Sequence, residues 1–184
     1  MKGYCKTKVF LYKLLFSNNK PFLNNVNVVQ GTQFVGKGTI SINNSQLGVW
    51  PSPGIVCGAG YIEARMNGAE VVIEHSTFIN NNFVFIADRT SIKIGKRCLI
   101  GPNFFITDSD FHGLNVKDRL NGNYECFPTV IEDDVFIGEG VKVMKGVTIG
   151  RGSVIGSGSV VVNDIDPNSI YAGVPAKKIR NLNG

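Results

Sequence analysis

A period of six governs the second half of the chain. From residue 131 it reads IEDDVF, IGEGVK, VMKGVT, IGRGSV, IGSGSV, VVNDID, with an aliphatic residue at Ile131, Ile137, Val143, Ile149, Ile155 and Val161. Four places later in each unit stands a second inward candidate: Val135, Val141, Val147, Ser153, Ser159 and Ile165. The positions between are rich in Gly, Asp, Glu, Lys and Ser, the residues of exposed turns. Neither helical spacing, about 3.6 residues, nor a run of simple hairpins gives a strict six. Such a period specifies a solenoid with one short strand and one turn per unit. Three units close a triangular coil, and successive coils stack about 4.8 Å apart. Ile and Val suit the inner ladder because they are stiff and favour extended backbone.

The same phase recurs upstream at Ile94, Ile100 and Ile106, with weaker copies starting at Ile73 and Ile79 and at Val29 and Val35. Its breaks are informative. Ile79 to Ile94 is 15 residues, which predicts a small bulge at Ala87–Ser91. Ile106 to Ile131 is 25 residues, and FHGLNVKDRLNGNYECFPTV between them carries no ladder. That stretch is expected to leave the prism as a loop at about 111–129, and an excursion of this length is usually functional. GVWPSPG around Trp50 is a further break. The 184 residues therefore read as one all-β domain. A segment 1–24 precedes a parallel β-helix over 25–166, and a tail over 167–184 ends in a short helix within Ile170–Leu182.

The chain carries a net charge of +5, and the excess is local. Residues 1–20 hold Lys2, Lys6, Lys8, Lys13 and Lys20 and no acid, and without them 14 bases face 14 acids over residues 21–184. A neutral body without a basic stripe argues against a nucleic-acid partner. Cys5, Cys57, Cys98 and Cys126 are too scattered for a disulfide framework or a zinc ribbon, and they point to a reducing compartment. The apolar run Val9–Phe16 is short and broken by Lys13. It predicts neither a signal peptide nor an integral membrane segment, and a cytoplasmic location is expected. The segment reads as an amphipathic helix packed over the end of the domain, with a membrane-surface helix as the alternative.

The hexapeptide units, the loop after TDSDFHG and the closing IYAGVPAKKIR resemble the hexapeptide-repeat acyltransferases, in particular the galactoside/maltose O-acetyltransferase group and its polysaccharide-modifying branch. The resemblance covers roughly residues 70–182. It implies a left-handed parallel β-helix, a homotrimer with active sites between subunits, acetyl-CoA as acyl donor, a sugar or glycan acceptor and no metal. The runner-up readings are an N-acetyltransferase on an amino sugar or antibiotic and a non-catalytic β-helix scaffold.

Acetyl transfer to a hydroxyl needs a base for the hydroxyl proton and donors for the oxyanion. Of the two histidines, His112 in TDSDFHG stands at the root of the large loop, where the family carries its catalytic histidine. It falls one residue later than in the galactoside enzymes, and the DFH spelling resembles the polysaccharide-modifying branch. Asp110, Asp108 or a backbone carbonyl can hold the imidazole tautomer, as an acid does in Ser-His-Asp systems. His75 lies two coils earlier, about 10 Å away, and reads as a surface or interface residue. Asn81 matches the family asparagine that contacts the acceptor, Asp88 an acceptor-binding acid, and Trp50 is a candidate for stacking on a sugar face. For coenzyme A, the family positions carry over to Ser157, Val162 and Asn163 for the pantetheine arm and to Lys177 and Arg180 for the phosphates. No cysteine stands in a Cys-His arrangement, so direct transfer without a covalent intermediate is expected.

Overall fold

Three rows of inward side chains run the length of the chain. In the computed structural model, which describes residues 2–182, Leu23, Ile42, Ile73, Ile94, Ile131 and Ile149 stack in register on one sheet. Val28, Leu47, Ile79, Ile100, Ile137, Ile155 and Tyr171 stack on a second. Phe34, Ile62, Phe85, Ile106, Val143 and Val161 stack on the third. The sheets have six, eight and six strands. Every strand pairing is parallel except the last, between Ser169–Ala172 and Lys177–Asn181. Each coil thus buries its inner face against the coils above and below, at about 2 kcal/mol for each fully buried aliphatic side chain.

The second set of inward positions is buried as the period predicts: Val135, Val141, Val147, Ser153, Ser159 and Ile165 all lie in the interior. The two serines are tolerated because Ser153 and Ser159 donate their hydroxyls to the carbonyls of Gly150 and Gly156, each at 2.6 Å. Midway along the prism, Phe83, Phe85 and Phe104 pack edge to face with centroids 5.9 and 5.6 Å apart.

Two expectations are corrected. In the first coils the inward residues are Val28 and Phe34, not Val29 and Val35; Phe34 pairs with Ile62 and Val35 with Glu63. A strand shifted by one residue exchanges its inner and outer faces, and valines adjacent to both phases left the choice open. The C-terminal tail is not helical. Gly173, at φ +105°, and the following Val174–Pro175 turn the chain back, so that Lys177–Asn181 pairs antiparallel with Ser169–Ala172.

The N-terminal segment does form a helix, α1, over Lys2–Leu15. It packs on the strand Thr32–Val35. Cys5 is buried, and Lys8 donates to the carbonyls of Val56 and Gly58 at 2.9 and 2.6 Å. The approach is close: a Cβ on Gly31 would stand 3.0 Å from Lys8 Cγ and 3.1 Å from Tyr12 Cδ2. Among the described residues no helix is long and apolar enough to cross a membrane.

Candidate active site

The large loop leaves the prism after Phe105–Thr107 and returns at Thr129–Ile131. Its neck is closed by an antiparallel bridge between Ser109 and Cys126 and by Phe127 N–H donating to the Asp108 carbonyl at 2.8 Å. One coil further on, Lys145 pairs with Asp110 at 2.9 Å and with Glu125 at 3.0 Å, and lies 4.8 Å from the Phe127 ring centroid. A single ammonium therefore clamps the outgoing and returning limbs together.

Beneath the neck lie buried carboxylates. Asp108 accepts from the backbone N–H of Asp88 (2.7 Å), Arg89 (3.2 Å) and Thr90 (2.7 Å) and from the Thr90 hydroxyl (2.8 Å). It pins the bulge that the 15-residue spacing announced. From that bulge Arg89 donates to the Gly122 carbonyl at 3.0 Å and lies 4.0 Å from the Tyr124 ring centroid, which docks the loop tip. Arg65 bridges Glu63 (2.9 Å) and Asp88 (3.4 Å) and lies 5.1 Å from the Phe111 ring centroid. Its hydrogen bond to Glu63 raises the guanidinium pKa further above its ordinary value, so the cation is permanent.

His112 projects from this platform and is exposed. Its Nδ1 lies 2.8 Å from the Arg119 carbonyl oxygen. A carbonyl only accepts, so this contact assigns the proton to Nδ1 and leaves the Nε2 lone pair free to take one. The tight turn that brings residue 119 back over the ring depends on Gly113, where a Cβ would meet Asp118 Cβ at 2.5 Å and the Asp118 carbonyl oxygen at 2.7 Å. Asp118 is itself held by the Asn115 and Asn121 amides at 3.3 and 3.0 Å. His112 borders a cavity of about 360 Å³ lined by Asp110, Asp118, Asn123, Tyr124 and Glu125 among others. Hydrogen-bonding groups at this density match a polyhydroxyl ligand better than an apolar one.

The structure redistributes several expected roles. Asp110 pairs with Lys145 and Asp108 with the bulge, so neither is the imidazole's partner; a backbone carbonyl is. Asp88 is fully buried, bonded to the Ser109 hydroxyl at 3.1 Å and beside Arg65. Asn81 is fully buried as well. Its Oδ1 accepts from Val49 N–H at 3.0 Å, and its Nδ2 points to the carbonyls of Val49, Ser52 and Pro53 at 3.0–3.3 Å. That buried amide holds the loop around Trp50 and does not line the His112 cavity, which corrects the expected contact. Trp50 lies near α1, in a cavity with Cys5, Lys6 and Gln46, and does not share the His112 cavity. His75 is exposed beside Glu74 at 3.8 Å and is likewise outside it. Burial pushes the Cys98 and Cys126 thiols up, so neither is a ready thiolate. Among the described residues no group of His, Cys, Asp and Glu could hold a metal ion.

Comparison with known proteins bears on this arrangement. The family profile described as bacterial transferase hexapeptide (six repeats) matches residues 128–163. The chain is 40% identical over 116 residues to a galactoside O-acetyltransferase of Escherichia coli, covering 63% of this chain and 56% of that protein. It is 37% identical over 116 residues to a polysialic acid O-acetyltransferase of Escherichia coli O1:K1, covering 61% of this chain and 37% of that one. Among solved structures, the polysialic-acid-specific acetyltransferase NeuO superposes with a TM-score of 0.74 at 28% identity, over 90% of this chain and 68% of that one. The chain carries the bacterial transferase hexapeptide repeat and is similar to the hexapeptide-repeat acyltransferases. Its solenoid is the left-handed β-helix of that family, and it spans about half the length of the curated relatives it matches.

In this hexapeptide-repeat protein the positions expected to hold coenzyme A lie on the last coils. Ser157 is exposed on the turn after Val154–Ile155, and Val162 and Asn163 are exposed after Val160–Val161. Val161 stacks over Val143 and Ile106, so Val162 and Asn163 stand two coils, about 10 Å, above the root of the His112 loop. Lys177 and Arg180 are three apart on one strand, a spacing that normally faces them oppositely. The register slips between Ile170 and Tyr171, so Lys177 pairs with Ala172 and Arg180 with Ile170. Those partners are two apart and share a face, so the irregularity brings the two bases onto one side. Lys178 goes to the other and bonds Asp166 at 2.8 Å beside the Tyr171 hydroxyl. The face carrying Lys177 and Arg180 continues down the same sheet through Val154, Phe136, Leu99 and Phe78. Phe136, Leu99 and Phe78 are about half exposed. Two signals escaped the sequence reading: the Arg119 carbonyl, which has no side-chain identity, and Lys145, an unremarked lysine on an outer turn.

Proposed function

We propose that the chain is an acetyl-CoA-dependent O-acetyltransferase acting on a sugar hydroxyl in surface polysaccharide biosynthesis. One observation carries the reading: His112, with Nδ1 committed to a carbonyl, presents a basic Nε2 at a polar cavity. Nε2 takes the acceptor hydroxyl proton as the sugar oxygen bonds to the acetyl carbonyl carbon. Backbone N–H groups hold the oxyanion, the carbon–sulfur bond breaks, and the imidazolium returns its proton to the departing thiolate. The relatives named as galactoside and polysialic acid O-acetyltransferases support a sugar acceptor and an acetyl donor. Lys177 and Arg180, on one face, are the groups we assign to the phosphates of the donor.

Calorimetric titration of the purified protein with acetyl-CoA tests the class. Binding at micromolar concentration is expected, and Lys177→Ala with Arg180→Ala is expected to weaken it about tenfold or more. Absence of binding by the unaltered protein would overturn the reading. We further propose that the half-exposed row Phe78, Leu99 and Phe136 is the contact between subunits of a homotrimer, because such a ladder is otherwise left in water. Leu99→Glu with Phe136→Glu is expected to reduce the mass measured by light scattering to that of one chain; an unchanged mass would exclude this face.

A further inference from the structure

A helix lying on a protein surface normally turns its polar side out. In α1 the packed side, with Cys5 and Tyr12, is largely apolar as usual, but the outward side is apolar too. Cys5 and Lys8 point to the solenoid, and Lys8 is occupied by the Val56 and Gly58 carbonyls. The side facing away carries Phe10, Leu11, Leu14 and Leu15, which are 63, 39, 62 and 63% exposed. Phe10 with Leu14 and Leu11 with Leu15 are each four apart, so they form one continuous apolar surface. Lys6 and Lys13, seven apart and exposed, flank it along one side. The helix is held firmly: the Ser17 hydroxyl beyond its end accepts from Phe34 N–H at 3.0 Å, and Asn19 donates to the carbonyls of Gly36 and Gly38 at 3.0 and 2.9 Å.

The charge around this helix has one sign over a long stretch. Residues 1–62 contain six lysines (Lys2, Lys6, Lys8, Lys13, Lys20 and Lys37) and no arginine, aspartate or glutamate; Glu63 is the first carboxylate. The whole net charge of +5 therefore belongs to this first third, since the remaining 13 bases face 14 acids. A second copy applied face to face would bring two lysine rows together, with no carboxylate on either segment to pair them. An anionic lipid surface supplies both partners at once: acyl chains for the phenylalanine and leucines, phosphates for the lysines.

We propose that α1 docks the protein on an anionic phospholipid bilayer, with Phe10, Leu11, Leu14 and Leu15 entering the acyl boundary and Lys6, Lys13 and Lys20 meeting the headgroup phosphates. The helix lies in the interface and does not cross it, and this attachment is independent of the transferase reading.

The test is co-sedimentation of the full chain with vesicles of phosphatidylglycerol and phosphatidylcholine in equal parts, against phosphatidylcholine alone. The protein is expected to sediment with the anionic vesicles, less as salt is raised, and weakly with the neutral ones. Phe10→Asp with Leu14→Asp is expected to lower partitioning about tenfold or more, with circular dichroism and acetyl-CoA binding unchanged. Lys6→Gln with Lys13→Gln is expected to weaken binding to anionic vesicles alone. Failure of the unaltered protein to bind anionic vesicles, or equal binding by the Phe10/Leu14 variant, would overturn the proposal. So would loss of assembled mass in that variant when the parent protein ignores vesicles, which would assign the face to a second copy.

Discussion

His112→Ala is expected to lower kcat for acetyl transfer by about a thousandfold while leaving acetyl-CoA affinity within about twofold, because general-base catalysis contributes about 10²–10⁴ in rate. The side chain is exposed and makes one hydrogen bond, to the Arg119 carbonyl. Its loss creates no core cavity and leaves a carbonyl that water can satisfy, so the fold is expected to survive. The effect should therefore fall on kcat and not on folding or donor binding. His112→Asn keeps a polar side chain but cannot act as the base, and the same loss is expected. A rate above about a tenth of the parent's in the Ala protein would remove His112 from the mechanism.

Asp108→Ala is expected to be the most destabilising single change near the site. The carboxylate is fully buried and accepts four hydrogen bonds, three from consecutive backbone N–H groups of Asp88, Arg89 and Thr90. Removing it strands those donors where the bulge meets the loop, at a cost of about 3 kcal/mol or more. For a chain of this size the melting temperature should fall on the order of 10 °C. Because Arg89 and Asp88 both contact the loop, kcat should drop as well, though His112 itself is unaltered. Asp108→Asn keeps an acceptor oxygen and is expected to lose about half as much stability. Thermal unfolding of the two variants beside the parent protein checks both values.

The downstream ladder was legible in the sequence because each six-residue unit repeats the same local problem. Ile131, Ile137 and Val143 stack beneath Ile149, Ile155 and Val161 as their spacing demands. The early coils were less legible because their units are irregular, and adjacent valines at 28 and 29 satisfy either phase. The tail misled through composition: Lys177, Lys178, Ile179 and Arg180 are good helix formers, whereas the controlling signal was Gly173 with Pro175, which reverses the chain. In the candidate site, His112 was visible because histidine is rare here and stands at a phase break. The partner of its ring was not visible, because backbone carbonyls have no spelling. Asn81 and Asp88 were noticed by position, but their burial and their commitment to backbone or neighbouring side chains are properties of the assembled coil.

The insertion leaves the stack undisturbed. Ser91–Ile94 pairs directly with Thr129–Ile131, and Phe105–Thr107 with Lys142–Val143, as though the residues between had never been added. The coil that bears the loop holds it at the neck, through Lys145 and Asp108, and at the tip, through Arg89, and leaves the ladder itself out of the contact. The loop tip can vary in such a molecule while the spine keeps its stacking, provided Asp108 stays. Exchanging only the loop tip, with Asp108, Asp110, His112 and the Arg119 turn kept, becomes a practical way to test which residues select the acceptor.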